Sequence, residues 1–305
     1  MTLVLGIDGG GTKTRARVLQ GGSEGRLCLL GSGEASGSNP FSVGWEAAQE
    51  AIQTATRDAM RQSGQQAIDS AVLAVAGCAS EAAGRRLQAW AEEHSLASRV
   101  MVVPDTEPVL AEVRPGDTAI GLIAGTGSAA LLRRGDGSTE VIGGWGYLID
   151  DGGSGYTLGR DALRHAASAA DAANAPDALA KAVLLQAGVD RPEGLKQALY
   201  GDSDPRGWAA RLARMVLGLA EQGDPAASAI AARGAQSLSV LVKLATERLD
   251  DHETPRLLLA GGLLGGSRYY RRRVSELLVA DGWTPDRITL APDAACGCGR
   301  LALKC

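Results

Sequence analysis

Residues 3–8 form an unbroken apolar run closed by an acid, Asp8, and three glycines follow, Gly9, Gly10 and Gly11. A run of this kind bounded by turn residues predicts a buried strand. Beyond the glycines the pattern alternates, with Arg15 and Arg17 on one face and Ala16 and Val18 on the other. That period of two belongs to a strand, so the glycines join two strands of a hairpin. A third strand is expected near residues 26–30, after the Gly21–Gly22 turn. Beyond Pro40 the period lengthens: Ala48, Ala51, Ile52, Ala55 and Ala59 recur at helical spacing. A buried strand at 71–76, a helix at 81–93 with Leu87, Trp90 and Ala91 on one side, a strand at 99–103 and a short helix after Asp105 complete the first half.

The second half repeats this order. Residues 119–124 are an apolar strand ending in Gly125-Thr126-Gly127-Ser128, and 129–133 continue extended. Gly135-Asp136-Gly137 turns the chain into a third strand at 140–143. An alanine-rich helical stretch at about 157–250 interrupts the repeat. A strand at 256–260, a helix at 267–280, a strand at 287–290 and a helix from Asp293 then close it. Pro115-Gly116-Asp117 marks the join. The predicted domains are 1–118 with 293–305, and 119–292.

Composition narrows the function classes. The chain has 305 residues, 45% hydrophobic, with 31 Lys+Arg against 35 Asp+Glu and a net charge of -4. That length suits two domains. The mild negative balance leaves no footprint for nucleic acid or an anionic membrane. No apolar run approaches the roughly 20 residues of a membrane span, and no leader-like segment opens the chain. Five cysteines without a disulfide framework point to a reducing cytoplasm. Three histidines with no His/Cys cluster argue against a structural zinc site.

Two glycine hairpins at equivalent places in two repeats resemble the actin, heat-shock chaperone and sugar-kinase ATPase superfamily. The resemblance implies an α/β fold of two ribonuclease H-like lobes, a duplicated βββαβαβα pattern and a nucleotide cleft between them. In the first motif, Asp8-Gly9-Gly10-Gly11-Thr12-Lys13-Thr14, glycines let backbone N–H groups approach a polyphosphate. Thr12 and Thr14 add hydroxyls, and Asp8 is placed to hold Mg²⁺, directly or through water. The spacing from Gly6 to Gly11 is followed by Thr12 where a P-loop needs lysine, and a strand follows where a dinucleotide fingerprint needs a helix. Gly125, Thr126, Gly127 and Ser128 form the second phosphate motif. Gly261, Gly262 and Leu263, after an apolar strand, match the turn that lies against adenosine in that superfamily. Phosphoryl transfer also needs a carboxylate for the acceptor hydroxyl. Asp105, at the end of the strand at 99–103, is the candidate base, with a helix N-cap as its alternative role.

Residues 143–156 read Gly-Gly-Trp-Gly-Tyr-Leu-Ile-Asp-Asp-Gly-Gly-Ser-Gly-Tyr. This dense block resembles that of the N-acetylglucosamine kinase group and its BadF/BadG/BcrA/BcrD ATPase relatives. Asp151 matches that group's sugar-binding aspartate, and Gly153 and Ser154 match its Gly-Ser. By the same resemblance Asn39, Gly144 and Trp145 contact the sugar, Gly77 lies by the acetamido group and Asp105 is the base. The sequence departs at Asp150 and Gly152, where Gly and Glu are usual, and at Ala76, where some relatives have serine. Thr106-Glu107-Pro108 stands where small residues are commoner. Glucosamine stays open as acceptor, because Asp150 or Glu107 would favour a cation at C2. The implied activity is ATP- and Mg²⁺-dependent phosphorylation of an amino sugar 6-hydroxyl in a cytoplasmic homodimer. An ATPase activator of a dehydratase or reductase is the alternative class, but the cysteines (Cys28, Cys78, Cys296, Cys298, Cys305) do not match its cluster-binding pattern.

Overall fold

The computed structural model describes residues 2–22, 26–250 and 253–305. The chain divides into two compact units, residues 1–114 with 291–305, and residues 115–290. Each unit is built on a five-stranded mixed sheet.

In the first unit, β1 (Thr2–Gly9), β2 (Lys13–Gly21) and β3 (Leu27–Ser36) form an antiparallel meander. A short helix α1 (Pro40–Val43) and a long helix α2 (Trp45–Ser63) lead to β4 (Ser70–Val75). Helix α3 (Glu81–Glu93) and β5 (Arg99–Val103) follow, and the sheet order is β3-β2-β1-β4-β5. Strands β1, β4 and β5 run parallel. Central β1 and β4 are apolar on both faces because helices cover both sides. β2 keeps the expected alternation, burying Thr14, Ala16 and Val18.

The second unit repeats that topology. β6 (Ala119–Ala124), β7 (Ser128–Arg133) and β8 (Thr139–Gly143) form the meander. Five helices follow: α4 (Gly155–Asp171), α5 (Ala178–Ala187), α6 (Gly194–Tyr200), α7 (Pro205–Glu221) and α8 (Pro225–Thr246). Ser154, Asp177, Asp204 and Asp224 cap four of them by accepting first-turn backbone N–H groups. Each such cap is worth about 1 kcal/mol. β9 (Arg256–Ala260), α9 (Gly262–Gly266), α10 (Arg268–Ala280), β10 (Ile288–Leu290) and α11 (Ala294–Ala302) end the chain. The sheet order is β10-β9-β6-β7-β8, strand for strand the order of the first sheet.

Helix α11 belongs to the first unit. It lies so close to β1 that a Cβ on Gly6 would sit 1.9 Å from the Ala295 carbonyl oxygen. Arg17 anchors its start through Asp293 at 3.1 Å.

Three expectations need correction. The third strand reaches Ser36 rather than stopping near Leu30. The strand continues through Gly31 and Gly33, which face α2, where a Cβ on Gly33 would meet the Ala55 carbonyl at 1.9 Å. The helix expected after Asp105 is only a 3₁₀ turn, Glu107–Leu110. Pro115 bars helical geometry at Arg114 and leaves too little chain for more. Gly262–Gly266, expected as a turn, closes into a short helix ahead of Ser267, which caps α10.

Candidate active site

Parallel strands β1, β4 and β5 end at the same edge of the first sheet. Chain ends at such an edge are where open α/β sheets bind ligands. Asp8 lies near the end of β1, Gly77 just beyond β4 and Asp105 just beyond β5. The Gly9–Thr12 turn is held by its own chain. Gly10 N donates to Lys13 O at 2.9 Å, Ser38 N to Gly10 O at 3.0 Å and Ala76 N to Gly9 O at 2.7 Å. Gly11 and Thr12 stand at its tip.

Two side chains of this motif serve the fold instead of the solvent face. The Thr14 hydroxyl, expected as a phosphate donor, is fully buried and donates to Ser36 O at 2.7 Å. Strand alternation forces this, because Thr14 shares the inward face with Ala16 and Val18. Lys13 pairs with Glu34 across β2 and β3.

Asp8 sits among acids. Burial raises its pKa from 3.8 to about 6, and the charges of Asp293 and Asp105 add to the rise. Arg15, 3.7 Å away, and Arg17 oppose it. Burial also pushes the Asp105 carboxyl upward. Asp105 is not a helix cap: Thr106 holds the N-cap position of the 3₁₀ turn. The neighbouring Cys78 thiol is driven to about 11 by burial and by the Asp105 charge.

Asn39 and Gly77 are in direct contact. The Asn39 side-chain oxygen accepts from Phe41 N at 3.0 Å and so caps α1. Gly77 has φ +86, and a Cβ there would stand 2.6 Å from Asn39 Oδ1. Only glycine satisfies both the dihedral and the contact.

In the second unit the equivalent edge carries the Gly125–Ser128 hairpin after β6 and Gly261 after its parallel neighbour β9. Gly155 N donates to Gly125 O at 2.7 Å and Tyr156 N to Thr126 O at 3.2 Å, so the start of α4 backs the hairpin. Gly261, at φ +89, is packed so that a Cβ would lie 2.4 Å from Ala124 O. The expected adenosine turn thus touches the expected phosphate turn. Leu263 packs partly against the core.

Asp151 is 3% exposed. Its Oδ1 accepts from Ser128 N at 3.2 Å and its Oδ2 from Arg206 Nη2 at 3.3 Å. The Ser128 hydroxyl donates to Gly152 O at 2.8 Å. Burial raises the Asp151 pKa, against the hydrogen bond from Ser128 and the charge of Arg206. Buried Tyr270 donates its hydroxyl to Gly153 O at 2.8 Å. Trp145, by contrast, is 70% exposed. The block therefore divides: 151–156 is built into the hairpin's support, while Gly144 and Trp145 lie between the end of β8 and the Gly146–Asp150 bridge.

With this geometry in hand, likeness to known proteins becomes informative. Residues 5–278 match the BadF/BadG/BcrA/BcrD ATPase family. The chain belongs to that family. It is 26% identical to an N-acetyl-D-glucosamine kinase of Dictyostelium discoideum over 99% of this chain and 98% of that one. An N-acetylmuramic acid/N-acetylglucosamine kinase of Clostridium acetobutylicum is 26% identical, over 88% of each chain. A solved structure from Chromobacterium violaceum, provisionally assigned as an N-acetylglucosamine kinase, is 27% identical with a TM-score of 0.75 over 99% of both chains. The fold is also that of a glucokinase from Streptomyces griseus, at 19% identity and TM-score 0.65 over 99% of this chain and 100% of that one.

A nucleotide-bound Mg²⁺ suits the residues of this family member. Mg²⁺ keeps most of its waters and takes one or two carboxylates. Asp8 would supply one, and a cation beside it would offset the burial and the Asp293 and Asp105 charges that hold its pKa near 6. Sequence reasoning missed Arg206. It lies 55 residues from Asp151, and its only signal is the Asp204-Pro205 helix start that places it in the first turn of α7.

Proposed function

We propose that this family member transfers the γ-phosphoryl group of ATP to the 6-hydroxyl of an amino sugar, with N-acetylglucosamine as the preferred acceptor. The observation that carries the reading is the edge of the first sheet. Asp8 and Asp105, both raised by burial, end parallel strands β1 and β5, and Gly77, in contact with Asn39, follows β4 between them. A carboxylate of raised pKa is a stronger base near neutral pH than an exposed one. The kinase relatives in Dictyostelium and Clostridium support the same chemistry.

In the proposed reaction, backbone N–H groups of Gly10, Gly11 and Thr12 and of Gly125, Thr126, Gly127 and Ser128 hold the ATP phosphates. Lys13 adds positive charge nearby. Gly261, Gly262 and Leu263 face the adenosine. Asp8 would hold Mg²⁺, whose charge would offset that of the phosphates. Asn39, Gly144, Trp145 and Asp151 take the sugar hydroxyls and ring, and the bare Gly77 leaves room for the acetamido group. Asp105 accepts the proton of the 6-hydroxyl as its oxygen bonds to the γ-phosphorus. The bond from γ-phosphorus to the bridging oxygen breaks, and ADP leaves.

Glucosamine is the second acceptor to try: a glucosamine kinase of Vibrio cholerae is 32% identical over 52% of each chain. Mass and ³¹P NMR analysis of the product from ATP and each sugar tests the proposal. A 6-phosphate formed only with ATP and the amino sugar is expected. Inorganic phosphate as the sole product overturns it.

A further inference from the structure

One charged side chain in the second unit is unaccounted for by the fold. Arg206 projects from the first turn of α7, within the helical insertion, toward the Gly125–Ser128 hairpin. Its Nη2 donates to Asp151 Oδ2 at 3.3 Å. The same nitrogen lies 3.0 Å from where a Cβ on Gly127 would be. The guanidinium stands 5.1 Å from the Tyr147 ring centroid. Its Nε is buried without a hydrogen-bond partner. Arg206 is half-buried, and an unpaired buried N–H on it costs stability and calls for an explanation.

We propose that Arg206 is a positioning residue for phosphoryl transfer: it fixes Asp151, which in turn fixes the Ser128 amide of the second phosphate hairpin. The inference rests on the kinase reading above. Arg206 fills one side of the Asp151 carboxylate and Ser128 N the other, so the carboxylate keeps a single orientation. Hairpin and sugar-side aspartate then move as one body. Gly127 leaves both groups undisturbed, since a Cβ there would stand 3.0 Å from Arg206 Nη2 and from the Asp151 carboxylate.

The groups whose charges act on Asp151 are Arg206, which stabilises its anion, and Asp150, which opposes it. Loss of Arg206 therefore raises an already raised Asp151 pKa, and the anion survives only at higher pH. Substitution at Arg206 has consequences that a purely structural residue would not produce. With Arg206→Gln, kcat/KM falls about tenfold for both ATP and sugar, the scale of one charge-assisted hydrogen bond. The acid limb of its pH profile moves to higher pH. Arg206→Lys keeps a positive charge and leaves the limb in place, but loses about threefold in kcat/KM because the planar fork is gone. Combining Arg206→Gln with Asp151→Asn costs no more than Asp151→Asn alone, since both act through one carboxylate.

The experiment is steady-state kinetics of wild type, both single Arg206 variants, Asp151→Asn and the double variant from pH 5 to 9, with Tm measured for each. The losses and limb shift just described support the proposal. A wild-type limb and wild-type kcat/KM in Arg206→Gln, with at most a lower Tm, overturn it. If Arg206→Gln does not fold, wild-type kcat/KM in Arg206→Lys overturns it equally. Wild type with no sugar-dependent turnover refutes the kinase reading instead, so the two failures are distinguishable.

Discussion

The two glycine hairpins occupy equivalent places in two sheets of the same strand order, yet their surroundings carry opposite chemistry. The first ends a strand bearing Asp8, whose pKa is raised by burial and by Asp293 and Asp105. Its cations are shared among several acids: Arg15 lies between Asp8 and Glu34, Lys13 pairs with Glu34, and Arg17 pairs with Asp293. The second hairpin is backed by a carboxylate that already has partners, with Ser128 N on one oxygen of Asp151 and Arg206 on the other. A buried acid with like charges near it at a strand end attracts a cation. A compensated acid behind a row of backbone amides makes rigid support for an anion. On the proposed reading, one duplicated frame supplies a seat for a metal and a base in one unit and a braced phosphate cradle in the other.

The sharpest way to break this comparison is at the first edge. Asp105→Asn removes the proposed base and lowers kcat by about 10³-fold, the scale of general-base removal, with KM for ATP nearly unchanged. Initial rates at saturating sugar check this. Asp8→Asn removes the seat for Mg²⁺ and costs about 10²-fold in kcat/KM for ATP, a typical loss for one transition-state electrostatic contact. A Mg²⁺ titration should show a raised metal requirement. On the second unit, Gly261→Ala meets the Ala124 carbonyl at 2.4 Å in a positive-φ conformation. It lowers stability by about 2 kcal/mol and weakens ATP binding, read by denaturant melts and calorimetry.

The last expected effect concerns pH. A carboxylate whose pKa is higher folded than unfolded binds more protons in the folded state, so its ionisation costs stability as pH rises. For Asp8, with a folded value of about 6 against 3.8, that cost is complete above pH 6 and fades as pH falls toward 4. Without nucleotide, Asp8→Asn should therefore melt above wild type at pH 7.5, by an amount worth at most about 3 kcal/mol. The gap narrows by about half at pH 5. An equal gap at both pH values would show that Asp8 is not the strained acid of the first edge.

Much of this was legible in the sequence because periodicity reports the local environment directly. The switch from an apolar run to alternation across Gly9–Gly11 marks a hairpin, and Asp8 and Asp105 stand out as acids closing apolar runs. What escaped prediction depends on neighbours remote in the chain. Gly31 and Gly33 continue a strand only because α2 lies flush on it. The Thr14 hydroxyl is absorbed by Ser36, which β3 brings alongside through strand pairing. Arg206 reaches Asp151 only once α7 is packed, and no local pattern joins two residues that far apart.

The most direct test of the account is ADP release from the wild-type protein with ATP and Mg²⁺, measured without sugar and with N-acetylglucosamine, glucosamine, N-acetylmannosamine, N-acetylmuramic acid or glucose. The account predicts little turnover without sugar and a large stimulation by an amino sugar, N-acetylglucosamine foremost. ATP hydrolysis that proceeds at one rate whatever sugar is added would contradict it.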